Sequence, residues 1–145
     1  MDKILMILLF STSFCFAQKT EQESVKESIE KLFSGMKSAD TAVIKFVFAE
    51  NAILQTITKN NVVRTEKISD FLLSFSKLSK DDADERISFE PIYIDGNLAS
   101  VFTPYEFYYK GKFSHCGANS FQMVKQNNIW KIQYLIDTRR TNCNK

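Results

Sequence analysis

The sequence predicts an α+β domain in which three N-terminal helices pack on one face of a curved, mostly antiparallel β-sheet. Two observations carry this. Apolar residues recur at helical spacing in three segments before residue 80. From Arg86 onward, long alternating segments are separated by short turn signals. The chain has 145 residues, 44% of them hydrophobic, with four Gly and two Pro, which suits one folded domain rather than a disordered chain.

The first residues stand apart. MDKILMILLFSTSFCFA carries Lys3, the apolar run Ile4–Phe10 and then small and polar residues up to Ala17. That is the pattern of a secretory signal peptide, and the run is too short to span a bilayer. Phe14 is too bulky to precede a lipidated Cys15. The expected product is a secreted or periplasmic protein of residues 18–145, with no membrane segment after cleavage. Removing residues 1–17 leaves the charge at +2 and leaves Cys116 and Cys143. With charges of both signs scattered and no basic stripe, nucleic acid is not an expected partner.

Residues 20–38 place Val25, Ile29, Leu32, Phe33 and Met36 on one helical face. Asp40 is suited to cap a second helix, TAVIKFVFA, with Ile44, Val47 and Phe48 inward. ILQTI at 53–57 alternates as a strand, TKNN at 58–61 turns, and 62–65 returns. ISDFLLSFSKL gives a third helix with Ile68, Phe71, Leu72, Phe75 and Leu78 on its stripe. KDDADE at 80–85 is expected to be a solvated loop. The strands ISFEPIYI, LASVFTPYEFYY, KFSHCGANSFQMV and IWKIQYLIDT follow, joined at Asp95-Gly96-Asn97, Lys110-Gly111 and Asn127-Asn128.

The lone histidine, His115, adjoins Cys116. Strand neighbours point to opposite faces, so the two do not form a nucleophilic pair. A single histidine also lacks the spaced partners of a metal site, so no metal or other cofactor is expected. Two-residue turns at Lys110-Gly111 and Asn127-Asn128 place Glu106 opposite His115, Phe121 opposite Tyr134 and Asn119 opposite Ile136. One face then carries Phe102, Glu106, Tyr108, Phe113, His115, Asn119, Phe121, Met123 and Tyr134. This largely apolar wall has three polar groups set into it, a composition shared by ligand pockets and by satisfied core hydrogen bonds. The other face carries Tyr105, Phe107, Cys116, Asp137 and Arg139, with Asp137, Arg139 and Arg140 as exposed end-of-strand charges. Cys116 there is within reach of the tail, and a Cys116–Cys143 disulfide would contribute roughly 3–4 kcal/mol.

Three helices, the pattern D-x-x-x-I-x-x-x-F-A at Asp40–Ala49, GKFSHCGANSFQMVK (111–125), IWKIQYLIDTRR (129–140) and the late Cys143 resemble the nuclear transport factor 2-like superfamily. The nearer likeness is to its secreted bacterial branch, SnoaL-like or lumazine-binding. The resemblance implies a cone-shaped fold around a cavity and often a homodimer through the outer sheet surface. It implies no particular reaction. Three functions follow as expectations. The first is a binder of a small apolar or aromatic molecule, walled by Phe102, Tyr108, Phe113, Phe121, Met123 and Tyr134 with His115, Asn119 and Glu106 as polar contacts. The second is a proton-transfer enzyme (dehydratase, isomerase or cyclase) with His115 as base oriented by Glu106. The third is an interaction protein whose cone is filled by its own Phe side chains.

Overall fold

The computed structural model describes residues 19–143; the expected signal peptide, 1–17, lies outside them. Helix α1 (Glu21–Ser38) begins with a reciprocal capping box, in which the Thr20 hydroxyl accepts from Glu23 N–H and the Glu23 carboxylate accepts from Thr20 N–H. It ends at Ala39, whose φ of 56° is left-handed. Its buried stripe is Val25, Ile29, Leu32, Phe33 and Met36. Helix α2 (Thr41–Val47) is capped by the Asp40 carboxylate, which accepts from the Ala42 and Val43 amides. The two helices approach closely because Gly35 has no side chain: a Cβ there would lie 3.0 Å from Ile44 Cγ1.

Strand β1 (Phe48–Ile57) begins earlier than the sequence suggests, because Phe48 already pairs with Ile132. Strand β2 (Val63–Glu66) folds back on β1. Helix α3 (Ile68–Phe75) stops short of the expected Leu78. Ser74 and Ser76 hydroxyls donate to the Phe71 and Leu73 carbonyls, competing with further helix growth.

The expected loop at 80–85 is corrected. Ala83–Ile87 is strand β3, paired with the later strand residues Tyr105–Tyr109. Its charges misled because they alternate: Asp84 and Arg86 face outward while Ala83, Glu85 and Ile87 face the interior. The expected long strand ISFEPIYI is interrupted, resuming only as β4 (Tyr93–Asp95). Strands β5 (Leu98–Tyr109), β6 (Lys112–Gln126) and β7 (Ile129–Thr138) complete the sheet. Lys110-Gly111 and Asn127-Asn128 take positive φ at both positions, as two-residue hairpins require. The strand order is β2-β1-β7-β6-β5-β3, with β4 also on β5, and β1 runs parallel to β7.

Two bulges reset the faces that unbroken registers would give. Tyr108 opposes Phe113 as expected, but Phe107 opposes His115, leaving Ser114 as an extra residue. Glu106 therefore opposes Cys116, not His115. Likewise Met123 opposes Ile132 but Gln122 opposes Tyr134, leaving Gln133 extra. Asn119 then opposes Asp137 rather than Ile136, and Phe121 opposes Leu135 rather than Tyr134. The physical reason on β7 is burial. Ile132 and Leu135 both enter the core, and residues three apart share a face only across a bulge.

The helices cover this inner face. Val25, Ile29, Leu32, Ile44, Val101, Phe121, Met123, Trp130 and Ile132 are almost completely buried between them and the sheet. Phe33 meets Phe121 edge-on, with ring centroids 6.3 Å apart. Ser28 Oγ donates to the Trp130 carbonyl at 2.9 Å, anchoring α1 to β7. Cys116, on the outer face, forms a disulfide with Cys143 and pairs through its backbone with Arg140. Among the described residues no helix is long and apolar enough to cross a membrane.

Candidate functional site

The core does not fill the whole space beneath the helices. Towards the end of the sheet where α3 crosses, a cavity of about 250 Å3 opens between the layers. Leu32, Phe33 and Met36 of α1, Phe71 and Phe75 of α3, and Leu54 and Leu135 of the sheet form its apolar walls. Its polar floor comes from the sheet: Thr56, Glu85, Tyr105, His115, Asn119, Asp137 and Arg139.

The floor follows from register. Arg64 opposes Thr56, Thr56 opposes Asp137, Asp137 opposes Asn119, and Asn119 opposes Thr103. Five strands thus contribute one polar residue each to a single row, with side chains on the same face. A second row, Glu85, Phe107 and His115, runs beside it. Gly117 lies between the two on β6. A Cβ there would sit 1.8 Å from the Thr138 carbonyl oxygen and 2.8 Å from Tyr105 Cε1. Its absence lets the Tyr105 ring lie across the sheet, where the hydroxyl donates to the Thr138 carbonyl at 2.8 Å and reaches Asp137 Oδ2 at 3.2 Å.

Two carboxyl groups share this floor in unlike surroundings. Asp137 is buried and well supplied with donors: Tyr105 Oη, Thr56 Oγ1, and Arg139 Nε at 3.0 Å. Glu85 accepts from Asn119 Nδ2 at 2.8 Å, the amide whose second hydrogen goes to Thr103 Oγ1 at 3.3 Å. Burial pushes the Glu85 carboxyl up to about 7; nearby Asp137 adds to this, while the Asn119 hydrogen bond and Arg139 oppose it. Glu66, at the cavity mouth, is also raised by burial. The Tyr105 hydroxyl is held well above its ordinary range, first by burial and then by Asp137.

His115 is held below its ordinary value, first by burial and then by Arg139, so its imidazole is neutral at neutral pH. Its ring packs between Phe107, 5.0 Å away between centroids, and the edge of Tyr105 at 5.8 Å. Nδ1 is 3.0 Å from Ser114 Oγ. The other ring nitrogen has no hydrogen-bond partner among the described residues. Among those residues, too, no group of three or more His, Cys, Asp or Glu is arranged to hold a metal ion.

Of the residues singled out from the sequence, the cavity brings together His115 and Asn119. Phe121 and Met123 are on the inner face but wholly within the core. Phe102, Glu106, Tyr108, Phe113 and Tyr134 are on the outer face, a consequence of the two bulges and of strand parity. Phe102 and Phe113 are about half exposed there. Glu106 accepts from the Tyr108 hydroxyl at 2.9 Å, and Arg86 covers the Tyr108 ring at 4.0 Å. The pairing of Glu106 with His115 is therefore replaced, on the cavity side, by the row through Asn119 and Asp137. Sequence reasoning missed Glu85, Tyr105, Asp137 and Arg139. The alternation of Ala83, Glu85 and Ile87 was a usable signal for the first, and the spacing of Ile132 and Leu135 for the last two.

Comparison with known proteins agrees with this architecture. No curated protein matches the sequence. An NTF2-like protein of unknown function from Shewanella baltica superposes with a TM-score of 0.68 at 16% identity, covering 84% of this chain and 95% of its own. A cystatin-like-fold domain from Nostoc punctiforme gives 0.68 at 13% identity, over 87% and 81% of the two chains. An NTF2-like protein with a cystatin-like fold from Novosphingobium aromaticivorans gives 0.68 at 12% identity, over 84% and 83%. These likenesses concern the fold. The sequence profile of the family described as "Putative lumazine-binding" matches residues 20–133, nearly the whole described chain, and the protein belongs to that family.

Proposed function

We propose that the protein binds a small, largely apolar or aromatic molecule in the cavity beneath α3. The observation that carries this reading is segregation: apolar side chains from helices and sheet enclose about 250 Å3 above a floor of polar groups in one row. The volume lies just under the range usual for drug-sized ligands, which favours a molecule of one or two rings. Phe33, Phe71, Phe75 and Leu135 would cover its faces. Its polar edge would meet Asn119, Glu85 and His115.

The floor offers both kinds of hydrogen bond. A Glu85 carboxyl that retains its proton near neutral pH donates as well as accepts, and neutral His115 accepts or donates by choice of tautomer. A heteroaromatic ring with alternating donors and acceptors along one edge fits such a floor, and the family's lumazine-binding description points the same way. Secretion belongs to the same proposal, supported by the N-terminal apolar run and by the Cys116–Cys143 disulfide.

A fragment screen by ligand-observed NMR tests the reading, using the protein from residue 18 and a Ser74→Trp variant. Ser74 is an exposed α3 residue lining the cavity, so the indole would occupy ligand space with little cost to folding. One- and two-ring heteroaromatics should bind the wild type and lose binding in the variant. Equal binding by both proteins would refute the cavity as the site.

A second reading, proton transfer, is favoured by one feature: two carboxyl groups whose surroundings differ so strongly. Glu85, whose carboxyl accepts from Asn119 alone, would exchange the proton, and Asp137 would hold Tyr105, Thr56 and Arg139 in place around it. Solvent-deuterium incorporation into a bound ketone, lost in Glu85→Gln, would support it; no incorporation above the uncatalysed rate would dismiss it.

A further inference from the structure

The polar row does not end at the cavity. Its edge residue, Arg64 on β2, faces a groove of about 670 Å3 that shares Thr56, Glu66 and Arg139 with the cavity wall. The two spaces are thus adjoining compartments around the same side chains. The groove is lined by four cations, Lys59, Arg64, Lys67 and Arg139, against the carboxyls of Glu66 and Asp70. Arg139 is committed to Asp137. Lys59, Arg64 and Lys67 are in no ion pair among the described residues.

We propose that this groove holds the anionic group, a carboxylate or a phosphate, of the same small molecule whose ring occupies the cavity. The proposal rests on the cavity being a ligand site. Lys59, Arg64 and Lys67 outnumber Glu66 and Asp70 around one opening and favour an anion there, and Arg64 presents a planar fork suited to bidentate contact with either group. The neutral ring passes between Glu66 and Arg139, which line both spaces. A ligand of this kind has its hydrogen-bonding edge inside and its charge at the mouth. Neutral rings of the same size would enter the cavity but gain nothing from the groove.

The test compares three probes with one naphthalene body: naphthaleneacetate, naphthyl phosphate and the uncharged naphthaleneacetamide. Each is titrated calorimetrically into the protein from residue 18 at low salt, and into Arg64→Gln and Lys67→Gln variants. Both substituted residues are exposed, and matching thermal melts will verify that the variants fold. The expected result is that one or both anions bind about fivefold or more tightly than the amide. The better anion identifies the group. The advantage should shrink in each variant, and added salt should erode it in the wild type without any substitution. Equal affinity for all three probes, abolished by Ser74→Trp, would overturn the groove proposal and leave the cavity reading standing. Binding of none of the three would remove both. Anion binding that survives Ser74→Trp would place the site outside the cavity and overturn the shared-ligand proposal.

Discussion

Replacing Glu85 with Gln probes the cavity floor directly. Gln keeps the shape and the oxygen that accepts from Asn119 Nδ2, and it removes only the charge that Glu85 can acquire. Burial raises the Glu85 carboxyl from an ordinary 4.5 to about 7. The folded protein therefore binds this proton more tightly than the unfolded chain. The contribution to stability is fully present below about pH 4.5 and is lost as pH rises through about 7. The rise from 4.5 to about 7 corresponds to about 3 kcal/mol. Urea denaturation of both proteins between about pH 4 and about pH 8.5 measures it. His115, whose value is lowered by burial, works in the opposite sense on falling pH, but it is common to both proteins and cancels in their difference. Glu85→Gln should match the wild type near pH 4 and exceed it by about 3 kcal/mol near pH 8.5. A difference that does not change with pH would refute the reasoning, because it would mean that Glu85 titrates as a solvated carboxyl.

Gly117→Ala should destabilise by more than about 3 kcal/mol in the same assay, because the Thr138 carbonyl that its Cβ would strike is backbone and cannot swing aside. A loss under about 1 kcal/mol would mean that β6 and β7 part easily there. Cys143→Ser should cost about 3 kcal/mol, from a disulfide closing a sequence separation of 27, and a reducing agent should abolish the difference from wild type. The homodimer implied by the family resemblance would bury Phe102 and Phe113 of the outer face. Sedimentation should then give a dimer that Phe113→Glu converts to monomer; a monomeric wild type would remove that role for the outer face.

The helices, the hairpin turns and the outward position of Cys116 were legible because each rests on local chemistry. Val25, Ile29, Leu32, Phe33 and Met36 mark one helical stripe, Asp40 caps the next helix, and Asn127-Asn128 adopts the positive φ that a tight turn needs. The site was less legible because it depends on parity. Counting from the turns gives Tyr108 opposite Phe113 and Met123 opposite Ile132 correctly. Beyond those pairs, Ser114 and Gln133 each take the place of an extra residue, and every later side chain changes partner. That moves Asp137 and Arg139 from the exterior to the cavity and takes Glu106 away from His115. Glu85 was hidden for a different reason. It sits among five other polar or small residues in KDDADE, whose composition reads as a loop, and only pairing with β5 makes it a strand residue. Asn119 and His115 remained on the cavity side in spite of these changes.

The most direct measurement is a high-resolution crystal structure of the protein purified from its native source without denaturation. The account predicts density for a small molecule inside the cavity, ringed by Phe71, Phe75 and Leu135, with polar atoms within hydrogen-bond distance of Asn119 and Glu85. A cavity closed by those same phenylalanine side chains, leaving no space beside Asn119, would contradict it.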